Sequence, residues 1–123
     1  MRTFGRALEL GLNGIEIDIH MMSDGEIMVL HGSHGKVSED FPEHGVSADD
    51  YIASIDSRTM SKCRLHGEWV PFLHEVIELC IDTNTKLNID CKTIDIEIVE
   101  PLHEMVTEHT FKNGCSISFY SSE

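Results

Sequence analysis

The segment Gly14-Ile15-Glu16-Ile17-Asp18-Ile19-His20 alternates apolar and polar residues with a period of two. In an extended strand, residues i, i+2 and i+4 share a face, so Glu16, Asp18 and His20 project together, opposite Ile15, Ile17 and Ile19. Two carboxylates about 7 Å apart along a strand repel each other unless water, a cation or a base lies between them. A hard divalent ion, which takes oxygen ligands, suits that spacing. An antiparallel strand with one wet face gives the same alternation with no ligand at all. Leu87-Asn88-Ile89-Asp90-Cys91-Lys92 repeats the pattern, with Asn88, Asp90 and Lys92 on the polar side. If both strands belong to one parallel barrel, their polar faces meet in an interior where unpaired charge is costly. Functional residues then belong near the carboxyl ends of the strands. A paired Asp–Lys set on a wet surface is the competing reading. His31 closes the apolar run Ile27–Leu30 and precedes Gly32, a place where a histidine can act as acid or base near neutrality, or have no role. His34, His44, His66, His74, His103 and His109 form no constellation.

Helices and turns must position these residues. Phe4, Ala7 and Leu8 have helical spacing and stop at Gly11, a C-cap signal. Gly14 to His20 reads as a strand, Ser23-Asp24-Gly25 as a turn, and Ile27-Met28-Val29-Leu30 as a strand buried on both faces. Met21 and Met22 read as packing residues. Residues 32–70 lose periodicity around Gly35, Pro42, Gly45 and Gly67, with a weak helical patch near Tyr51 and Ile52, and read as an excursion or small lid. Pro71 opens a helix with Phe72, Leu73, Val76, Ile77 and Cys80 on one stripe. After the strand Leu87 to Lys92 comes a helix with Ile98, Leu102, Met105 and Val106, in which Pro101 marks the first turn or a break. Asn113-Gly114 turns the chain into a final strand, Cys115 to Tyr120. Strands alternating with helices predict βαβ units and a parallel sheet. The last strand has no helix after it, and its open edge is a route to self-association.

The 123 residues suit a single domain and amount to about half of a closed (β/α)₈ barrel of roughly 250 residues. With 41% apolar and 25% charged residues the chain is globular. Its formal charge of −13 repels phosphate backbones, which excludes generic nucleic-acid binding, and it attracts cations. No apolar run is long enough to span a membrane, and Met1 to Gly11 has no signal-peptide core, so the expected compartment is the cytoplasm. Cys63, Cys80, Cys91 and Cys115 contain no CxxC pair, which excludes a zinc ribbon and points to free thiols.

Taken together, the motifs resemble the glycerophosphodiester phosphodiesterase family. The run from Phe4 to Gly11, the E-x-D strand Glu16-Ile17-Asp18, the Asp24-Gly25 turn and a strand ending in His31, thirteen residues after Asp18, follow the family order. Val70-Pro71-Phe72-Leu73-His74-Glu75-Val76 is similar to the family's I-P-x-L-x-E-V, and Leu87 to Lys92 to its L-N-I-E-x-K strand. Ile117 to Ser122 matches a later Ser-Phe-rich strand. The resemblance implies an α/β fold, a partial TIM-type barrel comprising roughly the first half without the first strand, with residues 1–123 a truncated domain and 32–70 an insertion. It implies hydrolysis of small-molecule glycerophosphodiesters to glycerol 3-phosphate and an alcohol, in glycerophospholipid metabolism. Glu16, Asp18 and Asp90 would bind Mg²⁺ or Ca²⁺, with Asp90 standing where many members have Glu. His31 would be one of two catalytic histidines, and Lys92 would hold a phosphate oxygen. Family members open with a His-Arg strand, which this chain begins after; Arg2 and Arg6 lie on the following helix and do not fill that role. Gly32 stands where an Asp often follows the histidine. Two other readings remain: a non-catalytic relative that binds a divalent metal or phosphate, and an acidic α/β binding domain with no metal.

Overall fold

The computed structural model describes residues 14–65, 67–81, 83, 85–93, 95–109 and 114–119. The predicted helix through Phe4, Ala7 and Leu8, Arg2 and Arg6, His66, Asn113 and the end of the final strand from Tyr120 lie outside the described residues.

A four-stranded mixed sheet organises the α/β fold. Its strands are β1 (Gly14–Met21), β2 (Ile27–Val29), β5 (Lys86–Cys91) and β6 (Cys115–Phe119), in the order β2-β1-β5-β6. A separate hairpin pairs β3 (Arg64–Leu65) with β4 (Glu68–Trp69). The helices are α1 (Ser57–Met60), α2 (Leu73–Cys80) and α3 (Val99–Thr107), with 3₁₀ turns at Pro42–His44, Ile52–Ser54 and Ile96–Ile98.

β1, β5 and β6 run parallel, as the alternation of strands and helices predicts, because a helical crossover separates each from the next. Ile15, Ile17 and Ile19 fall in register with Leu87, Ile89 and Cys91, forming one apolar face. Leu73, Val76, Ile77 and Cys80 of α2, with Ile98 and Leu102, close over that face to make the main core. Leu73 has no exposed surface. Its truncation to Ala is expected to cost about 2–5 kcal/mol of unfolding free energy, which urea denaturation would read. α2 begins two residues after Pro71: Phe72 is extended, and its N–H donates to the Glu75 carboxylate at 2.9 Å, so Phe72 caps the helix instead of joining it. Pro101 sits within the first turn of α3, where its missing N–H costs nothing.

β2 is buried on both faces, as its unbroken apolar run implies, but it pairs antiparallel with β1. Five residues, Met22 to Glu26, join the two strands, too few for a parallel crossover. The turn closes through Met22 N–H to Glu26 O at 2.8 Å, with Gly25 at φ 86°. Ile27 and Val29 face the main core, whereas Met28 and Leu30 face a second apolar cluster with Val37, Val46, Ile52 and Met60. Residues 32–70 are therefore not loose. Their short elements gather around a core of their own, and the Pro71–Phe72 segment runs along the outer edge of β2.

Candidate metal and phosphate site

The parallel register of β1 and β5 sets Glu16 beside Asn88 and Asp18 beside Asp90, on the face opposite the core. Side-chain oxygens of Glu16, Asp18 and Asp90 lie within 4.8 Å of one another. Ligands of one ion can be no further apart than twice the ion–oxygen distance, roughly 4.6–5.2 Å for calcium, so the three fit a single coordination sphere. Glu16 is exposed; the two aspartates are half-buried. Asp90 Oδ2 accepts the Lys92 ammonium at 3.1 Å. Its other oxygen, Oδ1, is buried with no hydrogen-bond partner among the described residues. An orphaned carboxylate oxygen costs on the order of 1–3 kcal/mol, and a bound cation is the ordinary remedy. The donor set thus fits a hard divalent ion.

His31 reaches this site because β2 folds back along β1. The register Ile19–Val29 continues one step, with Leu30 N–H donating to Asp18 O at 3.2 Å, and the chain then leaves the ladder. That brings His31 Nε2 to 3.6 Å from Asp18 Oδ2, with the ring otherwise exposed. Lys92 emerges just past β5, its N–H bonded to Ile19 O at 3.0 Å. A cleft of about 630 Å³ is lined by Glu16, Asp18, His31, Asp90 and Lys92. All five sequence-predicted site residues therefore meet in one place.

Two features escaped the sequence reading. The first is the burial of His20, which shares the polar face of β1 yet is only 5% exposed, with Nε2 unpartnered among the described residues. Burial, then the charge of Lys92 and His31, push its pKa down from 6.5 to about 4. Between those values the unfolded chain takes up a proton that the folded chain refuses. Stability is therefore expected to fall as pH drops from 6.5 toward 4 and to be flat, for this residue, above 6.5. Melting temperatures across that range should show a slope for the wild type that His20→Asn reduces. The second feature is the β3–β4 hairpin, which brings Leu65, Glu68 and Trp69 to the same cleft. Its one legible signal was Gly67, at φ 81°, between two short polar–apolar pairs.

Gly32, where the resemblance expects Asp, also has a structural cause. Ser33 and Lys36 exchange both backbone hydrogen bonds at 3.0 Å across a turn with positive φ at His34 and Gly35, the geometry of a tight type I′ hairpin. This hairpin folds over position 32: an added Cβ would overlap the Lys36 carbonyl oxygen and lie 2.8 Å from Ile52 Cδ1. Gly32→Ala is expected to cost about 1–3 kcal/mol, visible as a lower urea midpoint. All four cysteines are free, and burial pushes every thiol above its usual range, so none is a ready nucleophile. Among the described residues no helix is long and apolar enough to cross a membrane.

The chain is similar to known proteins in sequence and in fold. Residues 1–118 match the family model described as the glycerophosphoryl diester phosphodiesterase family. A glycerophosphodiester phosphodiesterase of Caldanaerobacter subterraneus is 31% identical over 124 residues, covering 96% of this chain and 50% of that protein. A human lysophospholipase D is 25% identical over 119 residues, covering 89% of this chain and 36% of its own length. The chain thus spans half or less of the curated relatives it matches. In fold it is similar to a glycerophosphodiester phosphodiesterase structure from Galdieria sulphuraria, with a TM-score of 0.80 at 20% identity over 96% of this chain and 48% of that one. It is also similar to an Oleispira antarctica phosphodiesterase solved with the product sn-glycerol-3-phosphate, with a TM-score of 0.78 at 18% identity over 98% of this chain and 51% of that one. The chain belongs to the glycerophosphoryl diester phosphodiesterase family.

Proposed function

We propose that this chain forms about half of a (β/α) TIM-type barrel, with residues 32–70 as a lid-like insertion, and carries the metal side of a divalent-cation-dependent phosphodiester hydrolase. Its substrates are small-molecule glycerophosphodiesters, cleaved to glycerol 3-phosphate and an alcohol in glycerophospholipid metabolism. The observation that carries the reading is the meeting of Glu16, Asp18 and Asp90 within 4.8 Å, together with the orphaned Asp90 Oδ1. Family membership and the product bound to the Oleispira neighbour support the substrate class.

Glu16, Asp18 and Asp90 would hold the ion. Mg²⁺ or Ca²⁺ bound there supplies Lewis acidity to a phosphoryl oxygen and offsets the repulsion between an acidic site and an anionic substrate. Asp18 orients the His31 ring through Nε2. His31, with Nε2 turned to Asp18, gives the proton on its other ring nitrogen, Nδ1, to the departing alkoxide oxygen, so that the alcohol leaves neutral. Lys92 Nζ, 3.1 Å from Asp90, turns to a non-bridging phosphate oxygen as negative charge grows there. Asn88, beside Glu16 in the sheet register, accepts the Ser116 hydroxyl at 2.6 Å and ties β5 to β6 on this face.

The test is release of glycerol 3-phosphate from glycerophosphocholine. Turnover is expected with Ca²⁺ or Mg²⁺ and should be lost on chelation. Turnover that survives chelation, or none at any ion concentration, contradicts the reading.

A further inference from the structure

The proposed hydrolase reading leaves one part of the cleft without a task. Beyond the charged groups, the cleft is lined by Leu65, Trp69, Val70 and Pro71. Val70 is buried, but Trp69 is 54% exposed, and an exposed tryptophan lining a cleft offers a large apolar surface to whatever enters. That ring has a partner. The Arg64 guanidinium stacks over it at 4.1 Å from the centroid, and Arg64 lines a neighbouring cleft, not this one. Trp69 itself lines both clefts, so Arg64 packs on the indole from the neighbouring one while Trp69 also forms part of the wall of this one.

The chemistry of the ligand follows from what surrounds the ring. A polyol would need several hydrogen-bonding partners, and on this wall only Glu68 and the indole N–H can supply them. A cationic group at the ring would stand close to the Arg64 guanidinium, whose like charge opposes it. A hydrocarbon chain needs neither.

We propose that Trp69, held by Arg64, is a specificity-determining residue that receives a hydrocarbon chain carried by the phosphate ester. The inference rests on the hydrolase reading and extends it: among phosphate esters, the site prefers those bearing an alkyl or acyl chain. The chain has two sources, the alcohol half of the diester or an acyl group on its glycerol.

Trp69 is the sole tryptophan in the sequence, so its fluorescence reports directly on this wall. Four phosphate monoesters, none of them a diester the site could cleave, would be titrated with Ca²⁺ present: glycerol 3-phosphate, hexyl phosphate, 1-hexanoylglycerol 3-phosphate and phosphocholine. Hexyl phosphate or the hexanoyl ester is expected to shift the emission to the blue and to bind about 10-fold tighter than glycerol 3-phosphate, by burial of methylenes against the ring. The tighter of the two identifies the source. By calorimetry Trp69→Ala should erase that 10-fold preference while leaving glycerol 3-phosphate binding unchanged, and Trp69→Phe should restore most of it. Equal affinity for all four, or a preference for phosphocholine, overturns the proposal while the phosphate site stands. No binding of glycerol 3-phosphate overturns the reading of the site, and this inference with it.

Discussion

Asp18→Asn is expected to weaken Ca²⁺ or Mg²⁺ binding by at least about 100-fold. Partners in the outer shell of a metal site are worth 10–100-fold in affinity, and Asp18 is proposed to touch the ion itself. It holds the central place: it stands beside Asp90 in the sheet register, two residues from Glu16 and 3.6 Å from His31. Asparagine keeps the shape and one carbonyl oxygen but removes a full charge from a three-carboxylate set. The fold should survive, because Asp18 packs outside the main core, so an unchanged urea midpoint would separate lost binding from lost structure. Wild-type affinity in the mutant would show that the carboxylates are only a solvated acidic face.

His31→Asn is expected to lower kcat for glycerophosphocholine by about 10²–10⁴, the usual worth of a positioned acid. Ion affinity should hardly move, since the nearest approach of His31 is to Asp18 Oδ2 and its ring is otherwise in solvent. The two variants therefore dissect the site: Asp18→Asn removes the ion and the rate together, whereas His31→Asn removes the rate alone. If His31→Asn left kcat unchanged, the proton donor would have to be another group.

What the sequence made legible followed from periodicity. The matched alternations of β1 and β5 placed Ile17 with Ile89 in the core and Asp18 with Asp90 on the other face, because a parallel ladder in register carries the same parity across both strands. The stripes of α2 and α3 were equally readable. The rest depends on contacts between distant residues. Three apolar residues in a row do not declare whether β2 runs with or against β1; the length of the turn before it does. The segment from Gly32 to Val70 has no long periodic element, so its second core could not be foreseen from Val37, Val46 and Met60 taken singly. His20 shared the polar face of Asp18 in sequence, yet the structure buries it, and Trp69 reaches the cleft only because a two-rung hairpin turns it there.

Family resemblance and geometry converge on Glu16, Asp18 and Asp90 by separate routes. The first rests on the order of motifs along the chain, the second on strand register and an unsatisfied oxygen. Asp90 is the instructive case, since a shorter side chain stands where many members have Glu. Its Oδ2 meets Lys92 at 3.1 Å and its Oδ1 is buried with no partner among the described residues, so it is proposed to serve as a ligand despite the shorter side chain.

Calorimetric titration of the wild-type chain with Ca²⁺, after removal of metal by chelation, reads directly whether Glu16, Asp18 and Asp90 hold an ion. One ion per chain is expected, with a rise in melting temperature that grows with ion concentration. A flat titration, with a melting temperature indifferent to millimolar Ca²⁺ and Mg²⁺, would contradict it.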